Sequence, residues 1–312
     1  MPLALTLSER FRLRSRQLLE VLLRLVPLRI IEGARRRHVM VPLLRHRSLR
    51  GLDSFTLGGN PPITLSAVDS RLTRILYWYG DKGYEGNEVA WWRRLCAEAT
   101  GIVEMGANIG YYTVVGALAA PSASYTAIEA NPGSVDIVRR NLQLNSITHV
   151  ELITGAVMGS PEAPTIELAL PDLEQYAAPS GAYVRTSAEG VGARRAAQRT
   201  ISVPTVRTGD VIGAADLIKL DIEGAEYDVL HSSLQDLIAR RVTLLVEVLR
   251  DTPQLRALLV RMTEHGYRFW LVSEPALREV PASAVAAGTD ILSQYGSRDI
   301  AVIPDERRAL FD

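Results

Sequence analysis

From about residue 100 onward, short apolar runs alternate with amphipathic stretches, and this alternation predicts the fold. Apolar runs bounded by Gly, Asn or charged residues predict strands at 101–105, 123–129, 150–157, 216–221, 242–248, 267–272 and 299–303. Apolar positions three and four apart predict helices over 111–118, 134–144, 225–239 and 253–265. Strands separated by helical stretches imply right-handed βαβ units, hence an α/β, doubly wound, mostly parallel sheet with helices on both faces. Residues 158–200 and 273–297 interrupt the alternation. Long insertions in such a sheet usually lie over the ligand crevice at the carboxyl ends of the strands.

Upstream, Ser8 can cap a helix over 8–26 in which Leu18, Leu22, Leu25 and Val26 share a face, and Pro27 ends or kinks it. Residues 51–70, with Gly59-Asn60-Pro61-Pro62, read as a connector. The expected organisation is therefore a basic N-terminal helical extension and connector over 1–80, followed by one ligand-binding domain over 81–312. No apolar run approaches the ~20 residues of a membrane span. No signal-peptide pattern is present either, so a cytoplasmic protein is expected.

With 312 residues, 47% hydrophobic and 22% charged, the chain has ample apolar material for a core. Its single cysteine, Cys96, excludes a disulfide scaffold and a cysteine-built zinc site. The zero net charge hides an asymmetry. Residues 1–50 hold twelve Arg and only Glu9, Glu20 and Glu32 as acids, a net +9, which leaves −9 for the remainder. Packing of this segment on the main domain is the favoured reading. Peripheral contact with the inner membrane face is the less favoured one, because the apolar stripe is short.

The densest motif is Glu104-Met-Gly106-Ala-Asn108-Ile-Gly110-Tyr111-Tyr-Thr113, joining the first strand to the first helix, where such folds hold nucleotide-like ligands. Its spacing differs from the dinucleotide pattern G-x-G-x-x-G. An acid two residues before the first glycine suits an amine or sulfonium cation and would repel a pyrophosphate. The helix N-terminus behind it suits a carboxylate. S-adenosylmethionine carries both groups. Glu129, ending the second strand, can accept both hydroxyls of a ribose. Gly155-Ala156-Val157 offers small side chains where an adenine edge could lie.

A second motif, Leu217-Ile-Lys219-Leu-Asp221-Ile-Glu223-Gly224-Ala-Glu226, places acids at the end of a strand. Alternation puts Lys219, Asp221 and Glu223 on one side. Acids so close together need a cation, hydrogen bonds or raised pKa values, a pattern typical of functional sites. Glu226 reads as the start of a helix, and Glu247 on the next strand is the natural further acid. The five histidines do not cluster.

Taken together, Glu104…Gly106-Ala-Asn108-Ile-Gly110-Tyr-Tyr-Thr113, Glu129-Ala130-Asn131-Pro132, Lys219-Leu-Asp221-Ile-Glu223-Gly224-Ala-Glu226 and Leu244-Leu-Val-Glu247 resemble the FkbM family of S-adenosylmethionine-dependent methyltransferases over roughly residues 80–305. Glu104 stands where the family usually has Asp, and Glu-Ala-Asn-Pro where Glu-Pro is commoner. The resemblance implies a seven-stranded, Rossmann-like class I methyltransferase sheet with its last strand antiparallel. It also implies O-methylation of a sugar, glycolipid or secondary-metabolite hydroxyl. The cofactor-binding set is then Glu104, Gly106, Asn108, Gly110, Tyr111, Thr113, Glu129, Ala130, Asn131 and Ala156. The catalytic set is Asp221, Glu223 and Glu247. Asp221 or Glu223 would act as base and Glu247 would orient the acceptor. A divalent metal held by the acids carries less weight.

Three rivals remain open. A nucleic-acid methyltransferase is disfavoured, because Asn60-Pro61-Pro62 is followed by Ile63 where an aromatic should stack on a base, so no nucleic-acid partner is expected. A nicotinamide-dependent oxidoreductase is disfavoured by the glycine spacing. A non-catalytic binding subunit is disfavoured by the intact acids. Acceptor specificity is expected in residues 158–200 and 273–297. Trp78, Tyr79, Trp91 and Trp92 either stack on sugar faces or belong to the core.

Overall fold

The computed structural model describes residue 49 and residues 51–68, 70–171, 183–184, 197–249, 251–272, 277–288 and 297–310. The helix expected over 8–26 and the basic segment around it lie outside these residues. In chain order the elements are strands β1 (Ser54–Leu57) and β2 (Ile63–Ser66), then helices α1 (Arg71–Tyr79) and α2 (Gly86–Ala97). Strand β3 (Gly101–Met105), α3 (Tyr111–Ala119), β4 (Ser124–Glu129), α4 (Pro132–Leu144) and β5 (Val150–Thr154) follow. Next come β6 (Ala156–Met158), β7 (Thr165–Pro171), β8 (Tyr183–Val184), β9 (Ala197–Arg207) and the single turn α5 (Thr208–Val211). The chain then runs through β10 (Leu217–Leu220), α6 (Glu226–Ala239), β11 (Thr243–Leu249), α7 (Pro253–Met262), β12 (Tyr267–Leu271), β13 (Arg278–Val280), α8 (Ala282–Ala287) and β14 (Ser297–Pro304).

The main sheet has the order β13-β12-β14-β11-β10-β3-β4-β5. Strands β5, β4, β3, β10 and β11 pair in parallel, and β14 runs antiparallel to both β11 and β12. This is the expected seven-stranded doubly wound sheet, with β13 added at one edge from within the interval read as connection. Strand order reverses between β3 and β10, so the crevice outside their carboxyl ends is the natural ligand position.

Pleating sorts side chains into two cores. Ile102, Leu217, Leu245 and Ala301 join one cluster, with Trp78, Trp92, Tyr112 and Tyr125. Val103, Ile218, Leu220, Val246 and Ile300 join the other, with Leu234, Leu255 and Met262 from α6 and α7. Trp78 and Trp92 are thus core side chains, 1% and 0% exposed, and do not face an acceptor.

Three local readings need correction. Residues 51–70 are not simple connector: β1 and β2 form an antiparallel hairpin around the Gly59–Pro62 turn, and their apolar residues join the first core. The third expected strand divides at Gly155 into β5, in the main sheet, and β6, in a second sheet of order β6-β9-β7-β8. The 158–200 interval therefore folds largely as sheet wherever it is described. Ala156, Leu168, Leu170 and Val203 form its small core, against which Ala130 packs.

Asn141 and Asn145 explain how the hairpin is held. The Ser66 amide donates to Asn141 Oδ1 (2.7 Å), and Asn141 Nδ2 donates to the Ile109 carbonyl (2.7 Å). Asn145 accepts from the Thr64 amide (2.9 Å) and donates to its carbonyl (2.6 Å). The two amides, one helical turn apart at the C-terminal end of α4, satisfy the free edge of β2 as a neighbouring strand would. Asn141 is fully buried. N141A would strand two buried backbone groups, and we expect a loss of ~2–4 kcal/mol, read from the denaturant midpoint.

Candidate active site

The loop from β3 to α3 is anchored on β4, because the amides of Gly106 and Ala107 both donate to the Ile128 carbonyl (2.9 and 3.0 Å). Gly106, Asn108 and Gly110 all adopt left-handed φ values, which turns the chain sharply into α3. Glu129 ties the turn together. Its Oε2 accepts the Asn108 amide (2.7 Å) and its Oε1 the Asn131 amide (2.8 Å). Asn131 in turn caps α4, its Oδ1 accepting from the Gly133 amide (3.0 Å). The Gly155 amide donates to the Glu129 carbonyl, which brings Ala156 and the second sheet beside Ala130.

Glu129 is largely buried, and burial pushes its carboxyl up to about 7 despite the two amide donors. Each oxygen takes one protein donor and keeps a second lone pair.

Glu104, Tyr111 and Thr113 are placed differently from expectation. Glu104 is 1% exposed, and Tyr125 Oη donates to its Oε2 (2.6 Å). Burial raises it to about 7. The Tyr111 ring is buried against Tyr112, with centroids 6.2 Å apart, and Thr113 is fully buried beside Glu104. At the start of α3 the side chains of Tyr111, Tyr112 and Thr113 are buried, and the helix N-terminus leaves backbone amides unpaired within the helix.

The second motif converges on the same crevice. The Asp221 amide donates to the Met105 carbonyl (3.1 Å), and the Asp221 carbonyl lies where a Cβ on Gly106 would sit. The two loops are therefore in direct backbone contact. Alternation holds through Asp221 but fails at Glu223, whose φ of 57° places it in a turn. That turn is closed by Glu226, which is wholly buried and accepts the amides of Ile222 (2.9 Å) and Gly224 (3.0 Å); burial raises it to about 7.

On one face of the sheet, pleating brings together Glu104, Lys219, Glu247 and Asp299 from four adjacent strands. Lys219 pairs in register with Glu104, and Glu247 with Asp299. Leu220 pairs with Val246, so Asp221 and Glu247 stand at the same level. Burial first, then Asp221 and Asp299, hold the Glu247 carboxyl well above the ordinary range. Burial also raises Asp299, although Lys219 opposes the shift.

The sequence reading missed Asp299, Glu85 and Glu88, whose carboxylate oxygens lie within 4.8 Å of one another. It also missed Tyr112, whose hydroxyl donates to Glu85 (2.9 Å). Asp299 was legible as an acid opening an apolar last strand. Glu85 and Glu88 precede the first strand of the sheet and carry no motif. Among the histidines, His231 stacks on Tyr227 on α6 (centroids 5.3 Å apart), and His265 lies in the turn after α7.

A doubly wound sheet of this order, with its last strand antiparallel and an acid closing the second strand of the βαβ unit, defines a Rossmann-like class I methyltransferase fold. Residues 104–269, just over half of the chain, match the methyltransferase FkbM domain. The chain belongs to the FkbM methyltransferase family, and its cofactor is S-adenosylmethionine.

No functionally curated protein matches the chain. Among solved structures, it is similar to a methyltransferase FkbM from Methylobacillus flagellatus KT (15% identity, 48% of this chain and 32% of that one, TM-score 0.32). It is also similar to precorrin-6y C5,15-methyltransferase from Geobacter metallireducens GS-15 (11%, 70% and 87%, TM-score 0.36). A third is TYW2 from M. jannaschii in complex with AdoMet (13%, 80% and 84%, TM-score 0.37).

Among the described residues no helix is long and apolar enough to cross a membrane.

Proposed function

We propose that the protein transfers a methyl group to a hydroxyl oxygen of a sugar, glycolipid or related polyol, with Asp221 as the general base. The observation that carries this reading is the placement of Asp221. Its side chain is 31% exposed at the carboxyl end of β10, level with Glu247 and in backbone contact with the glycine loop.

The residues present fit S-adenosylmethionine. The free lone pairs of Glu129 suit the two ribose hydroxyls. The backbone of 106–110 and the N-terminus of α3 suit the amino-acid end, whereas Ala156 is spent on the core of the second sheet rather than on a base. When bound, the cofactor supplies an electrophilic methyl group on a sulfonium. The protein's part is alignment and proton removal. Asp221 accepts the proton of the acceptor hydroxyl as its oxygen becomes the nucleophile, and passes that proton to water afterwards. Glu247, level with Asp221, offers a further contact for a neighbouring hydroxyl.

Incubation with S-adenosylmethionine and extracted glycans and glycolipids, followed by mass spectrometry, tests the reading. A methyl shift on a hydroxyl is expected. Methylation confined to nitrogen or carbon, or binding of a nicotinamide dinucleotide in place of S-adenosylmethionine, would overturn it.

Glu129 sets a pH dependence. Ribose hydroxyls donate best to the ionised carboxylate, which predominates only above about pH 7. Affinity for S-adenosylhomocysteine should therefore fall about tenfold from pH 8 to pH 6, because the competent fraction falls by that factor. Calorimetry on the wild type and on E129Q checks it, and the pH dependence should flatten in E129Q.

A further inference from the structure

Lys219 has no place in the reaction as described so far, yet its position is costly. It is 2% exposed, and a buried ammonium is tolerated only when it is paired. Its Nζ lies 4.5 Å from the centroid of the Tyr112 ring and donates to Asp221 Oδ2 at 2.8 Å. Tyr112 is itself fixed through its hydroxyl bond to Glu85. The ammonium is thus held from below by an aromatic floor, and its hydrogen bond runs forward to the carboxylate at the crevice.

The charged and titratable groups around this pair come from every neighbouring element. Glu104 faces Lys219 from β3, Tyr112 from α3, Glu85 from the turn before α2 and Asp299 from β14. Glu88 on α2 lies against Asp299. Glu247 from β11, Glu226 at the start of α6, Glu129 from the end of β4 and Tyr84 from the turn before α2 add further groups around Asp221, and Glu223 faces Glu247. Burial pulls Lys219 toward neutrality, but Asp221, Asp299 and Glu85 more than offset this and hold it above its ordinary range. Without Lys219, Asp221 would stand among carboxylates with no adjacent cation among the described residues.

We propose that Lys219 is a positioning residue that pins Oδ2 of Asp221 through a charge-assisted hydrogen bond, leaving Oδ1 to meet the acceptor hydroxyl. This rests on the reading of Asp221 as base.

The test exploits the fact that Lys82 and Lys219 are the only lysines in the chain. K82R protein labelled with [13Cε]lysine and saturated with S-adenosylhomocysteine gives one lysine NMR signal. That signal should show a step with pH that D221N removes. With [13Cγ]aspartate labelling, the Asp221 signal is assigned by its loss in D221N. Its titration midpoint should move up by about one pH unit or more in K219M and stay near wild type in K219R. The acidic limb of the kcat–pH profile should move by the same amount, with KM little changed.

An unmoved Asp221 midpoint in K219M overturns the inference. If K219M does not fold, an identical Lys219 signal with and without D221N overturns it instead. Retained turnover by D221N would defeat the base reading, and with it Lys219's catalytic purpose, whereas the NMR midpoint reports the Lys219–Asp221 coupling on its own.

Discussion

D221N should lower turnover by ~10²–10⁴-fold while leaving the affinity for S-adenosylhomocysteine within a few-fold of wild type. Asn keeps the size and shape of Asp but cannot take a proton from a hydroxyl. Asp221 lies outside the cofactor contacts proposed for Glu129 and the 106–110 loop, so binding should persist. Lys219 would lose its nearest counter-charge but retain Asp299, Glu85 and Glu104 around it, so the fold should survive. Calorimetry with S-adenosylhomocysteine and single-turnover rates with the acceptor found by screening separate the two quantities. Turnover within tenfold of wild type would reject the base role. E223Q should have a smaller effect, since the left-handed turn takes Glu223 out of the alternation that points Lys219 and Asp221 forward.

G106A should be the most damaging single change to the scaffold of the site. A Cβ at this position would lie 1.8 Å from the Asp221 carbonyl oxygen, and the residue has a φ of +92°. Neither partner can retreat cheaply. The Gly106 amide is bound to Ile128, and the Asp221 amide to Met105. The left-handed conformation alone costs ~1–2 kcal/mol for a residue with a Cβ, and separating the two loops adds to it. We expect a loss of ~3–5 kcal/mol, a fall in Tm of about 10 °C, and loss of measurable cofactor binding. G224A is the control. Its φ is +112°, but no atom lies within 4 Å of the added carbon, so only the conformational cost, ~1–2 kcal/mol, should appear. Equal damage from the two substitutions, measured by thermal unfolding and calorimetry, would show that the loop contact is unimportant.

This contact shows where reading the chain alone reaches its limit. Gly106 was legible as part of the glycine motif assigned to the cofactor, but that reading contained no internal reason for a glycine there. The observed reason is the approach of residue 221, more than a hundred positions away. Glu104 teaches the same lesson: its charge suggested a ligand contact, whereas its place in the middle of a parallel sheet buries it under Tyr125. The hairpin at 54–66 went unread because its strands are only four residues each and its partner edge is supplied by two asparagine side chains rather than by a third strand.

By itself, the amino-acid sequence determined what depends on neighbours within a few residues. That includes the strand and helix alternation, the sharp turns at the two glycine motifs, and the family to which those motifs belong. Only the tertiary structure decided which charges meet. Lys219, Glu247, Asp299 and Glu85 come from four separate parts of the chain, and sheet register and the packing of α2 bring them to one face. Electrostatic energy depends on distance and burial, and neither can be read from positions along the sequence. The division of the acids into a buried strut (Glu226), a carboxylate bound by amides of the glycine turn (Glu129) and a part-exposed carboxylate held by a lysine (Asp221) is therefore a property of the folded sheet.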